Sequence, residues 1–207
     1  MVAMLVGGTV VLLRDGAGGV ETLLIRRPDR GSFAGAWVFP GGVVEDADLV
    51  EGETETQTAL RAAVRECEEE VGIRALDLRP LSCWVPPVEA PKRVRTWFFV
   101  GVASADGLRL APDEVMDARW ISPAEALDMH AAGEMALFPP TWVTLSELSA
   151  APSVAAVEDA ASDPETFSTH VIGGGVFVWA GDPEHPESGD GRHRLDTSML
   201  PWRYVRD

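Results

Sequence analysis

From Thr56 to Val71 the chain encodes a helix with two unlike faces. Leu60, Val64, Cys67 and Val71 recur at helical spacing, and Gly72 follows at once as a helix stop. At about 100° per residue, Glu66, Glu69 and Glu70 fall within an arc of roughly 100° on the opposite side. The pattern predicts one face packed on a core and one face of carboxylate. Three like charges at i, i+3 and i+4 cost a helix a few tenths of a kcal/mol per pair, so the arrangement is poor without a compensating cation. Mg²⁺ and Mn²⁺ select oxygen donors and commonly also bind substrate phosphates, which would turn the repulsion into a coordination site. A bare Glu-x-x-Glu-Glu is more often only a solvated acidic face.

Its surroundings add a second constraint. Arg65-Glu66-Cys67-Glu68-Glu69-Glu70-Val71-Gly72-Ile73, preceded by Phe39-Pro40-Gly41-Gly42, resembles the Nudix box, G-x5-E-x7-R-E-U-x-E-E-x-G-U with U aliphatic. Every fixed position of the second half is present in Arg65, Glu66, Glu69, Glu70 and Gly72, with Cys67 and Ile73 in the apolar slots. The first half departs. Seven residues back from Arg65 the chain has Gln57 where the pattern has glutamate, and Gly42 lies too far upstream. An insertion of about nine residues within Val43 to Gln57 accounts for this. Glu53 or Glu55 then stands as the displaced first glutamate.

The resemblance extends to about residue 150, through Leu24-Ile25-Arg26-Arg27, Trp37-Val38-Phe39-Pro40-Gly41-Gly42 and Asp113-Glu114-Val115-Met116-Asp117-Ala118-Arg119-Trp120. It implies an α/β/α sandwich with a mixed β-sheet over residues 1–150, and residues 151–207 as an extension packed on the same domain. It further implies Mg²⁺ or Mn²⁺ bound by Glu66, Glu69 and Glu70 with the Gly42 carbonyl, and Arg65 orienting those carboxylates. Cleaving a diphosphate also requires a carboxylate that takes a proton from water; Glu69 and Glu114 are the candidates. In a chain with so few basic residues, Arg27, Arg30, Arg93 and Arg95 stand out as candidate phosphate ligands, because a guanidinium fork matches phosphate geometry. Leu23-Leu24, Arg27, Arg30, Gly35 and Phe39-Pro40-Gly41-Gly42 are similar to the coenzyme A diphosphatase branch, although Pro28 and the spacing around Arg30 depart from it. The expected substrate is therefore coenzyme A or an acyl-CoA. The alternatives are ADP-ribose, a nucleotide sugar or a dinucleotide, or a ligand-binding module without turnover.

Elsewhere, Leu5–Leu13 and Glu21–Arg26 predict a hairpin, Ala36–Phe39 a short strand, Arg93–Val102 a central strand and Ala118–Ile121 another. Ser122-Pro123-Ala124-Glu125 reads as a capped helix start with Glu125 completing a capping box, and a further helix is expected from about Thr141 to Ala150. Thr169–Ala180 reads as one strand interrupted by Gly173-Gly174-Gly175, and Asp182–Arg194 as a mobile polar loop. Strands and helices interleave without a regular βαβ rhythm, which independently points to a mixed sheet covered on both faces. Phe33, Trp84 and Trp97 are expected in the core, and the four histidines, lacking paired metal spacing, in structural or exposed positions.

The formal net charge of -16 argues against a nucleic acid polymer as partner, since that affinity rests on Lys and Arg. A small diphosphate remains compatible where metal and local arginines reverse the field. Cys67 and Cys83 lack zinc or disulfide spacing, Met1–Arg14 has no basic leader, and no apolar run reaches membrane-spanning length. A cytoplasmic protein without membrane partner is expected. By analogy with similar families a homodimer is possible, with Thr169–Asp207 offering an interface strand.

Overall fold

The run Val10-Val11-Leu12-Leu13 is apolar without alternation, as expected of a strand buried on both sides. In the computed structural model, which describes residues 4–31, 33–103, 107–161 and 163–207, it is the middle of β1 (Leu5–Gly16). Val10 and Leu12 pack with Ala59, Ala63, Cys67, Val71 and Phe99; Val11 and Leu13 point the other way, to Leu24, Phe98, Trp142 and Val143. A central sheet thus separates two apolar layers.

β1 pairs with β2 (Gly19–Arg26) as the predicted hairpin, and in parallel with β6 (Val94–Val102). β3 (Trp37–Val38) and β7 (Asp117–Ile121) pair with β2, and β4 (Gly41–Val43) with the start of β1. β5 (Arg79–Val85) joins β6 antiparallel, and β8 (Glu165–Ser168) extends the sheet parallel to β5. The result is a mixed eight-stranded sheet, as the interleaved pattern predicts. Helix α1 (Glu55–Val71) covers one face; α2 (Pro123–Ala131), α3 (Pro139–Ser149) and α4 (Val154–Ala160) supply apolar residues to the layer on the other. At α2, Ser122 accepts the Glu125 N–H at 3.2 Å, but the return bond of a capping box is not made among the described residues.

Thr169–Ala180 is not one strand. Gly173, Gly174 and Gly175 all take positive φ (92°, 60° and 81°), a run open only to glycine, and fold it into a hairpin of β9 (His170–Val171) and β10 (Val176–Val178). Antiparallel β11 (His193–Asp196) and β12 (Arg203–Arg206) complete a second, four-stranded sheet. Nor is Asp182–Arg194 a loop without anchors. Asp182 is fully buried and accepts from the Glu184 and His193 backbone N–H groups at 3.0 and 3.1 Å and from Arg194 Nε at 2.8 Å. Trp84 is buried as expected, but Phe33 is 52% exposed, edge-on to Phe138. Among the described residues no helix is long and apolar enough to cross a membrane.

Candidate active site

Two features bring the carboxylate helix against the glycine loop. Thr54 caps α1, accepting the Gln57 N–H at 3.3 Å while Gln57 Oε1 accepts the Thr54 N–H at 2.9 Å, and Gly72 ends the helix at φ 74°. Gly8 of β1 then lets the helix backbone sit directly on the sheet, since a Cβ there would come within 1.9 Å of the Ala59 carbonyl oxygen. At the other end of the helix, Gly41 N–H donates to Glu70 Oε2 at 2.9 Å. The Cα of Gly42 lies so close to Glu66 that a Cβ would fall 2.2 Å from the carboxyl carbon. The glycine pair is thus a floor pressed against two carboxylates.

A third carboxylate arrives from the loop before β7. Arg109 and Ala111 donate their N–H groups to the Val71 and Glu70 carbonyls at 2.9 and 3.0 Å, satisfying acceptors left open at the helix end. This docks the loop on α1 and brings Glu114 over the site, where Glu66, Glu70 and Glu114 each offer an oxygen within 4.8 Å of the others. Burial pushes the Glu70 carboxyl up to about 7 despite the Gly41 N–H and Arg27, and nearby Glu66 and Glu114 add to the rise. Glu66 is raised too, by burial that outweighs its bond to Arg65. Three oxygen donors that resist being charged together fit a hard divalent cation, whose charge removes that conflict. Among the described residues it is the one group of this kind.

Glu69 stands outside the group of three. It is exposed, and Arg65 Nη1 bridges it to Glu66, at 2.9 and 3.0 Å. The rest of the Arg65 guanidinium turns inward, Nε to Asp48 Oδ1 at 3.1 Å and Nη2 to Asp48 Oδ2 at 2.9 Å and the Val43 carbonyl at 3.2 Å. Asp48 is 2% exposed; burial alone would raise its carboxyl, but Arg65 and the Glu45 N–H hold it below the usual range. Sequence reasoning missed this residue. Counted forward from Gly42, Asp48 occupies the glutamate position of G-x5-E. The extra residues therefore follow it instead of preceding it. Glu53 is paired with Arg61, and Glu55 with Arg95 and with Trp97 Nε1, so neither stands in the carboxylate group.

Beside Glu114 opens a cleft of about 450 Å³, lined also by Arg27, Arg30, Lys92 and Asp113. Arg27, from the cleft lining, forms an ion pair with the buried Glu70. Of the four arginines singled out from sequence, Arg27 and Arg30 line this cleft. Arg93 donates to the Pro86 carbonyl at 3.3 Å and Arg95 is engaged with Glu55 beside the start of α1; neither is among the residues lining the cleft.

Three of the four histidines have hydrogen-bonding partners. His130 Nδ1 lies 2.9 Å from the Met135 carbonyl, His185 Nε2 lies 2.9 Å from the Ser168 carbonyl, and His193 Nε2 lies 3.0 Å from the Tyr204 hydroxyl.

The family model of the NUDIX domain matches residues 4–142. In fold the chain is similar to a NUDIX hydrolase from Alicyclobacillus acidocaldarius, with a TM-score of 0.69 and 24% identity over 80% of this chain and 98% of that one. It is also similar to a MutT NUDIX hydrolase from Burkholderia pseudomallei, with a TM-score of 0.52 and 27% identity over 69% and 95% of the two chains. A third likeness is to the NUDIX domain of Shewanella oneidensis NrtR, solved in complex with ADP ribose, with a TM-score of 0.56 and 18% identity over 71% and 87%. The matched segment contains Gly42, Asp48, the whole of α1 and Glu114, and on that match this chain belongs to the Nudix family of hydrolases.

Proposed function

We propose that this Nudix hydrolase cleaves the diphosphate linkage of a nucleoside-diphosphate derivative, with Mg²⁺ or Mn²⁺ held by Glu66 and Glu70, supported by Glu114, Glu69 and the Gly42 carbonyl. The observation that carries the reading is the meeting of Glu66 and Glu70 with Glu114, which also lines a cleft together with Arg27, Arg30 and Lys92. When bound, the cation supplies charge neutralisation on the diphosphate oxygens and makes water a stronger acid.

The remaining work falls to the chain's own groups. Water adds to one phosphorus, the bridging P–O bond breaks, and each product leaves with a phosphate. Glu69, solvent-facing and oriented by Arg65, accepts the proton of the attacking water; Glu114 is the second candidate for that step. Arg65, anchored on Asp48, fixes Glu66 and Glu69 relative to each other. Arg27 steadies Glu70, and Arg30, on the cleft wall, binds an anionic group of the substrate.

Coenzyme A or an acyl-CoA is the leading substrate, supported by the Leu23-Leu24, Arg27 and Arg30 pattern and by the presence of both arginines in the cleft. We also read residues 151–207 as an extension of the 1–150 domain. Supporting this, β8 pairs with β5, and Phe167, Trp179 and Leu195 are buried in the same apolar layer as Val11 and Leu13. Product analysis with Mg²⁺ or Mn²⁺ across coenzyme A, ADP-ribose, dinucleotides and nucleotide sugars tests the function. Metal-dependent binding without turnover of any of them would overturn it in favour of a ligand-binding module.

A further inference from the structure

Lys92 is the only lysine in the 207 residues, and it lines the cleft. It comes from the loop between β5 and β6, whereas Arg30 comes from the loop between β2 and β3. Both loops are braced internally. Gly35 N–H donates to the Pro28 carbonyl at 3.1 Å, Ala90 N–H to the Pro87 carbonyl at 3.2 Å, and Arg93 to the Pro86 carbonyl at 3.3 Å. Two separate, braced segments thus present a cation to one cleft in a chain whose formal charge is -16.

The three cleft cations are not equivalent. Arg27 is neutralised by Glu70. Among the described residues Lys92 makes neither an ion pair nor a hydrogen bond, and Arg30 has only a 3.5 Å approach to the Asp113 carbonyl oxygen. The acids on the cleft wall are the exposed Asp113 and Glu114, and Glu114 is shared with Glu66 and Glu70. Next to Arg30, Gly31 presents no side chain, and nothing lies within 4 Å of where its Cβ would be. Two uncommitted cations beside open space suit an anionic group that the substrate carries in addition to its diphosphate.

We infer that Arg30 and Lys92 form a second anion subsite in the cleft, which binds a phosphomonoester of the substrate and so sets substrate choice. This rests on the diphosphatase reading above. A phosphomonoester carries close to two negative charges at neutral pH, whereas the hydroxyl in its place carries none. The subsite therefore selects by charge, and as an exposed one it weakens in salt.

Titration calorimetry of the full chain with adenosine 3′,5′-bisphosphate and with adenosine 5′-monophosphate tests this. The bisphosphate is expected to bind about tenfold more tightly at low salt, and Lys92→Met or Arg30→Met to bring the two ligands within about threefold. Lys92→Arg keeps the preference. Both side chains are exposed, so folding is not at stake. Equal affinity for the two nucleotides, no binding of either, or a preference unchanged in both methionine variants would overturn the subsite. A wild-type preference that both methionine variants abolish, without turnover of any diphosphate, would uphold the subsite and remove the hydrolase reading beneath it.

Discussion

Arg65 grips both oxygens of Asp48, Nε to Oδ1 at 3.1 Å and Nη2 to Oδ2 at 2.9 Å, while its remaining nitrogen bridges Glu66 and Glu69. One buried carboxylate thereby sets the plane of the guanidinium that orients two others. Replacing Asp48 by Asn keeps the size but removes the charge. We expect Asp48→Asn to lower the unfolding free energy in urea by about 2 kcal/mol and activity by about 10–100-fold, with Asp48→Glu retaining most of both.

Gly42 offers a steric test of the same site. With a methyl group at 2.2 Å from its carboxyl carbon, Glu66 must leave its place. Gly42→Ala is expected to reduce Mn²⁺ affinity and turnover by about 100-fold while far-UV circular dichroism stays native. Gly18→Ala, where nothing lies within 4 Å, serves as the control and should match wild type.

The proposed division of labour between neighbouring glutamates separates in two measurements. Glu69→Gln should lower kcat by about 10²–10⁴-fold, the expected loss for a proton acceptor, with a smaller loss of Mn²⁺ affinity than Glu70→Gln. Glu70→Gln should lose Mn²⁺ affinity first. Near-normal turnover in Glu69→Gln would reassign the proton to Glu114.

Asp182 makes a prediction for stability against pH. Burial pushes its carboxyl up, but Arg194 and the Glu184 and His193 N–H groups outweigh it and hold the group at about 2, below the ordinary 3.8. A depressed folded-state value means that the contribution is complete above pH about 4 and disappears as pH falls through about 2. Its size is about 2 kcal/mol. Asp182→Asn should therefore be less stable at pH 6 and show a shallower loss of unfolding free energy between pH 4 and 2.

Much of the site-bearing half was legible because its signals are periodic. The Leu60 to Val71 spacing and Gly72 located α1, and the apolar runs within Leu5–Leu13 and Arg93–Val102 located β1 and β6, since these patterns report burial directly. Burial of Glu70 was not legible. It comes from the loop carrying Glu114 and from the Gly41 backbone, neither of which leaves a trace in the helix pattern. Gln57, which stands where the pattern has glutamate, is a capping residue, and the lengthened loop hides Asp48 from a backward count from Arg65. Strand β5 escaped because Pro80 and the register shift between Pro80 and Ser82 break its alternation. Strands β9 and β10 merged into one because three glycines can equally interrupt a strand or turn it back.

The added residues between Asp48 and α1 enter where both ends of the loop are already pinned, by Arg61 and Arg65 at Asp48 and by the Thr54–Gln57 cap at the helix. Closing a longer loop between fixed ends costs only about 0.6 kcal/mol per doubling of its length. Length at this point is therefore nearly decoupled from the geometry of the carboxylates. The segment Leu49–Glu53 is a place where the chain can accept further residues, or a grafted recognition loop, without disturbing the chemistry of α1.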